Sequence, residues 1–382
     1  MHILKKIFVL VIVFATIFII HHLLKTRRAI QQKIEEGFGE DEINKIKGAK
    51  TPISIAPIQD KYLDLPLREF IVKSSYNSAI SGDYANKEMI RFILERGCRL
   101  LDFEIYTDSN KIDYVSLSRE QDYVMDTLNE NTDRLSFADA MGTVNAYSFV
   151  TPSPSPNDPL FVSLRLKNNL KKDDKRAAYK RIADILKVSF PNRLYQDVAG
   201  KALEVNGSTP LREIMGKVVV IFDTENKFSN FDKYCSDSKN ECSEIYSVIN
   251  IPANVAGGLP IYTYEDVTTK SREPVLQQRD GLGTTIDTFY MVIPPVDDVI
   301  QVPSPREVIL SAFPQFMLYK FHINNTNLEE YEKIFNTAQT AFVPISSLLT
   351  TKNEEDGGED DEDVVTPSLP KKSGGPLSFK LF

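Results

Sequence analysis

Between positions 66 and 108 the hydrophobic pattern changes period twice. A short apolar run, Phe70-Ile71-Val72, gives way to the polar turn Ser74 to Asn77 and a Ser81-Gly82-Asp83 break. Met89, Ile90, Ile93 and Leu94 then recur at helical spacing until Gly97, and Leu100 to Tyr106 alternates apolar with acidic residues, which is the signature of a strand. The predicted order is strand, helix, strand. Asn77 falls just past the first strand, and Asp102 and Glu104, two residues apart, share one face of the second.

The same alternation recurs downstream. Leu160 to Leu166 reads as a strand before a Lys-rich helix through Arg181 to Val188, Lys217 to Phe222 as a strand before a loop, and Gln315 to His322 as a strand before a helix through Leu328 to Phe335. Strands alternating with helices over 51–350 predict a parallel α/β sheet, and at that length its commonest closed form is a TIM-type (β/α)8 barrel. No internal repeat is visible.

The ends follow other patterns. Ile7 to Ile20 is an unbroken apolar run, extended by Leu23 and Leu24 past His21 and His22. Eighteen residues of helix reach about 27 Å, close to the roughly 30 Å hydrocarbon core. The flank HHLLKTRR lacks the small residues of a signal-peptidase site, so 1–28 is expected to be an uncleaved transmembrane helix of a single-pass membrane protein. Lys25, Arg27 and Arg28 slightly outweigh Lys5 and Lys6, which favours a barrel on the cytosolic side. A charged stalk is expected over 29–50 and an acidic disordered tail over 351–382. The tail changes how the net charge of −8 is read, because eight of the acids lie between Glu354 and Asp363. The folded part is near neutral, which excludes a nucleic-acid footprint. Three cysteines, Cys98, Cys235 and Cys242, fit no disulfide framework or zinc spacing; Cys235 and Cys242 could bridge a surface loop, but free thiols are the simpler expectation. Sequons at Asn206-Gly207-Ser208 and Asn324-Asn325-Thr326 do not by themselves fix the topology.

Pro66, Leu67, Ser74, Ser75, Asn77, Gly82, Asp83, Arg96, Gly97, Cys98 and Arg99 follow a known pattern in order: P-L-x-x-[FY]-x-x-x-S-S-H-N, then G-D, then R-G-[CA]-R-x-x-[ED]-x-[DE]. The chain resembles phosphoinositide-specific phospholipase C, with an X-like part over about 60–190 and a Y-like part over about 208–350. Leu135 to Ala140 is similar to I-S-F-x-D-V, Pro159 to Arg165 to P-V-I-L-S-L-E, Pro210 to Val218 to the segment opening the Y region, and Pro305 to Ile323 to its end. The resemblance implies a barrel of the PLC-like phosphodiesterase fold.

In that family a phosphodiester is cleaved by attack of the inositol 2-hydroxyl. One histidine steadies the phosphoryl charge, a second protonates the departing diacylglycerol, and calcium held by an asparagine and carboxylates lowers the pKa of the attacking hydroxyl. Carried over residue by residue, the histidines fall on Tyr76 and Val115. Of the chain's four histidines only His322 lies in 51–350, so a two-histidine mechanism is ruled out however the segments are shifted. Asn77, Asp102 and Glu104 keep calcium positions, but the fourth, the glutamate of S-L-E, is Arg165. The expectation is that Arg165 pairs with Asp102 or Glu104 and takes the cation's place, giving a remnant binding cluster of Asn77, Asp102, Glu104 and Arg165 with no resident cofactor. The reading is a membrane-anchored pseudoenzyme, a binding or structural module contacting the lipid bilayer and a phosphoinositide headgroup or a protein partner. The alternative is a phosphatidylinositol phospholipase C-type phosphodiesterase with an altered site, needing Ca2+.

Overall fold

The structure, a computed structural model, describes residues 16, 18–21, 40–48, 52–82, 84–117, 135–167, 172–224, 235, 242–270, 289–295 and 302–348. Eleven strands belong to one sheet: β1 (Phe70–Ser75), β2 (Leu100–Thr107), β3 (Asp113–Ser116), β4 (Leu135–Ser136), β5 (Leu160–Leu166), β6 (Val218–Asp223), β7 (Ile251–Ala253), β8 (Ile261–Thr263), β9 (Met291–Ile293), β10 (Phe316–Tyr319) and β11 (Phe342–Pro344). The helices are α1 (Glu40–Gly48), α2 (Lys87–Glu95), α3 (Phe137–Ser148), α4 (Lys172–Ser189), α5 (Ser243–Tyr246), α6 (Pro305–Ala312), α7 (Thr326–Ala338) and α8 (Ile345–Leu348).

Eight strands pair in parallel in the spatial order β7, β6, β5, β2, β1, β10, β9, β8. Taken around the ring, that is their order in the chain, as in a barrel. The ends β7 and β8 do not pair as a ladder but are joined through Leu259, whose N–H donates to Pro252 O at 2.9 Å while its carbonyl accepts from Asn254 N at 2.9 Å, and by Ile261 N donating to Asn254 Oδ1 at 3.1 Å. The barrel is therefore nearly closed. The turn from β7 to β8 carries no helix, because Gly257 and Gly258 return the chain directly. Elsewhere helices cover the sheet, so β1, β2, β5, β6 and β10 are buried on both faces, and β6 (Val218–Asp223) reads as a nearly continuous apolar run.

Local signals account for the elements. Asn86 caps α2, its Oδ1 accepting from Met89 N at 2.7 Å, and Met89, Ile90 and Ile93 bury the inner face. Gly97 ends the turn with φ +79°, where a Cβ would lie 2.7 Å from Ile55 Cδ1. Beyond the parallel ring, β3 and β4 extend β2 as an antiparallel hairpin and β11 runs antiparallel to the start of β1.

The expected anchor lies mostly outside the described residues; Thr16 and Phe18 to His21 are helical. Among the described residues no helix is long and apolar enough to cross a membrane. The tail 351–382 also lies outside them. The end of the expected stalk is helix α1, whose Ile43 and Ile46 are buried in the hydrophobic core. One expectation is corrected: Cys235 and Cys242 are joined as a disulfide, and only Cys98 is a free thiol. Tyr246 Oη donates to Cys235 O at 2.9 Å and ties Cys235 to the end of α5, a three-dimensional approach that cysteine spacing does not reveal.

A buried carboxylate sets a pH dependence. Burial raises Asp158 from 3.8 to about 6, against the opposing pull of Arg99. The folded state thus holds a proton more tightly than the unfolded chain. The associated stabilisation is complete below pH 4 and is lost as pH rises through 6, a change of about 3 kcal/mol. Asp158→Asn keeps an oxygen for the Ile58 N–H and removes the titration. Urea midpoints measured from pH 4 to 7 should fall with pH in the natural chain and stay flat in the variant.

Candidate functional site

The C-terminal ends of parallel barrel strands are where side chains from different strands converge. Asp102 and Glu104 project from β2, and the register pairs them with Ser163 and Arg165 of β5. Tyr76 and Asn77 follow β1, held by Tyr76 N donating to Tyr319 O of β10 at 2.9 Å. Asn77 sits at φ +44°, a conformation asparagine tolerates, and its N–H donates to Asp102 Oδ2 at 3.1 Å.

Arg165 is the hub. Its Nε and Nη2 donate to the two oxygens of Asp102 at 2.9 and 2.5 Å, its Nη1 to Glu104 Oε1 at 2.7 Å and Tyr76 Oη at 3.3 Å, and its Nη2 also to Asn77 Oδ1 at 2.9 Å. The guanidinium lies over the Tyr76 ring, 4.6 Å from its centroid. Tyr106 Oη donates to Glu104 Oε2 at 3.0 Å and Ser163 Oγ to Asp102 Oδ1 at 3.1 Å. Asp102 and Glu104 are fully buried, and Tyr76, Asn77 and Arg165 nearly so. Burial alone would weaken the Arg165 charge, but Asp102, Tyr76 and Glu104 outweigh it and hold the pKa well above the ordinary value. Such charge-assisted, two-pronged bonding is the strong form of the ion pair.

Four of the predicted site residues, with Tyr76, therefore meet at one point. Val115 does not join them. It pairs with Ile105 across the β2–β3 hairpin, whereas Glu104 pairs with Ser116, so Val115 shares the face opposite Glu104 and packs in the apolar core. His322 lies in the turn after β10. Sequence reasoning missed Lys167 and Asp223. Lys167 is two residues past Arg165, and Asp223 ends β6 and accepts from Asn254 Nδ2 at 2.9 Å. Burial lowers the Lys167 pKa, while Glu104 and Asp223 partly offset it and Arg165 adds to it. The period-2 face that carries Arg165 was the available signal for Lys167.

These strands form a nearly closed parallel barrel, and the cluster sits at the C-terminal ends of β1, β2 and β5. Residues 63–223, from just before β1 to the end of β6, match the family model described as phosphatidylinositol-specific phospholipase C, X domain. Among solved structures the chain is similar to PLC21 of S. officinalis, with 14% identity over 78% of this chain and 39% of that one and a TM-score of 0.55. It is likewise similar to PLC21 of L. pealei, with 13% identity over 74% of this chain and 37% of that one and a TM-score of 0.53. At this identity the likeness shows the barrel fold. The chain spans under two fifths of the length of either structure. A search of curated proteins gives no match.

The residues present do not fit the calcium ion that the family implies. Calcium takes about six to eight oxygen ligands with anionic charge around it, and here Asn77 Oδ1, both Asp102 oxygens and Glu104 Oε1 already accept from a guanidinium. Among the described residues there is no group of three or more His, Cys, Asp or Glu side chains placed to hold a metal.

Proposed function

We propose that the chain is a phospholipase C-like pseudoenzyme, anchored to a membrane through residues 1–28 and serving there as a binding or structural module. The observation that carries this reading is the Arg165 guanidinium bonded to Asn77, Asp102 and Glu104. A fixed cation of the protein takes the role that a divalent ion has in the related enzymes, and it cannot activate a hydroxyl as a metal does. Tyr76 and Val115 supply no imidazole at the family's histidine positions, and proton transfer near neutral pH is what those histidines contribute. The apolar run Ile7 to Leu24 supports the anchor. The Y-like assignment of 208–350 belongs to the same reading. Candidate partners are the lipid bilayer itself and either a phosphoinositide headgroup or a protein at its surface.

Lys167 favours one alternative, an altered phosphodiesterase, since a buried lysine with a lowered pKa can move a proton. Hydrolysis of phosphatidylinositol and its phosphorylated forms by the full-length chain in detergent, with and without calcium, separates the two. No release of inositol phosphate is expected. Turnover that disappears in Asp102→Asn would overturn the pseudoenzyme reading.

A further inference from the structure

The Cys235–Cys242 disulfide lies in the loop between β6 and β7, with both sulfur-bearing residues buried. Disulfides persist in secretory and extracytoplasmic compartments and are rare where thiol reductants dominate. A cross-link spanning seven residues holds a loop but cannot hold the barrel, whose core is contributed by β1, β2, β5 and β6. Its presence therefore reports the compartment more than a need of the fold. The N-terminal flanks do not oppose this strongly, since two cations precede the apolar run and three follow it.

The sequons supply a second, separate observation. Asn206 is half-buried, its Oδ1 accepts from Ser208 N and Ser208 Oγ at 3.0 Å each, and the carbonyl of Gly207 accepts from Arg68 N at 2.9 Å. That tripeptide is bound into a turn against the barrel. Asn324 is exposed in an irregular stretch between β10 and α7, and Thr326 two residues on is exposed as well. A sequon is read as a surface acceptor; Asn324 and Thr326 are both exposed where α7 begins, whereas Asn206 is half-buried and bonded to its own Ser208.

We infer that the barrel faces an oxidising, extracytoplasmic compartment, where Cys235 and Cys242 are cross-linked and Asn324 carries an N-linked glycan. In the first step the two thiols lose two electrons and two protons to the disulfide of a thiol–disulfide oxidoreductase, which leaves as a dithiol. In the second a lipid-diphosphate-linked oligosaccharide gives its anomeric carbon to Asn324 Nδ2. The amide loses a proton as the C–N bond forms, and the lipid diphosphate departs. This placement is opposite to the side that the flanking charges favour, and it is independent of whether the barrel is catalytic.

The test uses the full chain expressed in eukaryotic cells and recovered from membranes with free thiols blocked at lysis by a maleimide. After denaturation, a second, mass-tagged maleimide applied with and without prior reduction counts oxidised cysteines, and glycosidase treatment reads the glycan by gel mobility. Two tags that appear only after reduction are expected, as is a glycosidase shift that is absent in Asn324→Gln and retained in Asn206→Gln. No tag after reduction, together with no glycosidase shift, places the barrel on the reducing side and overturns the inference. A shift lost only in Asn206→Gln overturns the choice of Asn324. Cys242→Ser, which leaves the sequon intact, should keep the glycan shift and lose both tags.

Discussion

Arg165→Glu is expected to convert a chain indifferent to calcium into one that melts higher when calcium is added. In the natural chain one guanidinium neutralises the Asp102 and Glu104 carboxylates and also satisfies Asn77 Oδ1. Removing a partner from a buried pair costs about 3–5 kcal/mol, and the variant goes further by placing a third carboxylate beside two that are fully buried. Without metal, the melting temperature should fall by about 10 °C, given ~2–4 °C per kcal/mol for a domain of this size. With metal, three carboxylates and an amide oxygen from four positions resemble an oxygen-donor calcium site. Calcium at a hundred times its Kd would then return about 2.7 kcal/mol of stability. Arg165→Gln separates the two effects, since without metal it should lose less stability than Arg165→Glu, having no third carboxylate, and it should show no calcium response. Where Arg165→Glu accumulates poorly, expression in calcium-supplemented medium and terbium luminescence provide a second readout. A melting curve of Arg165→Glu unmoved by calcium would mean that the guanidinium does not stand where a cation can.

Part of the cluster was legible from a short-range rule, since Asp102 and Glu104 alternate on one strand; Arg165 was singled out by the resemblance, as the residue standing at the glutamate of S-L-E. The sequence does not state the register that brings β2 and β5 together, so it left open which carboxylate Arg165 would meet; the pairing Glu104–Arg165 lets the guanidinium bridge both. Val115 shows the opposite case. A one-residue difference in hairpin register moves a side chain to the other face, and a motif carried over through a weakly matching segment cannot choose between Val115 and Ser116. The strands β1, β2, β5, β6 and β10, four to eight residues long, were readable from short apolar runs or apolar–polar alternation. Strands β7, β8 and β9 have three residues each, too few for a period to register, and their place in the barrel is set by neighbours. The disulfide was illegible for a related reason, since cysteine spacing carries no information on where the intervening loop folds back.

Glu332→Ala is expected to be the most damaging single change outside the candidate site. Helix α7 carries Glu332 against the outer side of β1. Its carboxylate accepts from Arg96 Nε and Nη2 at 2.8 Å each and lies 3.5 Å from Lys73 Nζ. Lys73 is wholly buried and Arg96 nearly so, so one substitution removes the carboxylate that both cations share. The cost should reach or exceed the about 3–5 kcal/mol of a broken buried pair, a large part of the roughly 5–15 kcal/mol that holds a domain together. Loss of soluble chain at 37 °C is therefore the expected outcome. The exposed Arg212–Asp64 pair has comparable distances, 2.6 and 3.0 Å, yet Asp64→Asn should leave the melting temperature unchanged, because water screens both partners. Lys73 supplies the confirming sign. Burial already lowers its pKa, with Glu332 opposing that shift, and Glu332→Gln removes the opposition. The folded state then binds fewer protons than the unfolded chain between the lowered pKa and 10.5, so the stability of Glu332→Gln should rise with pH through that window. Adding Lys73→Met should abolish the slope and recover part of the loss. A Glu332→Gln chain that melts within 3 °C of the natural one at pH 7, by the same ~2–4 °C per kcal/mol, would show that Arg96 and Lys73 find water where the packing leaves none.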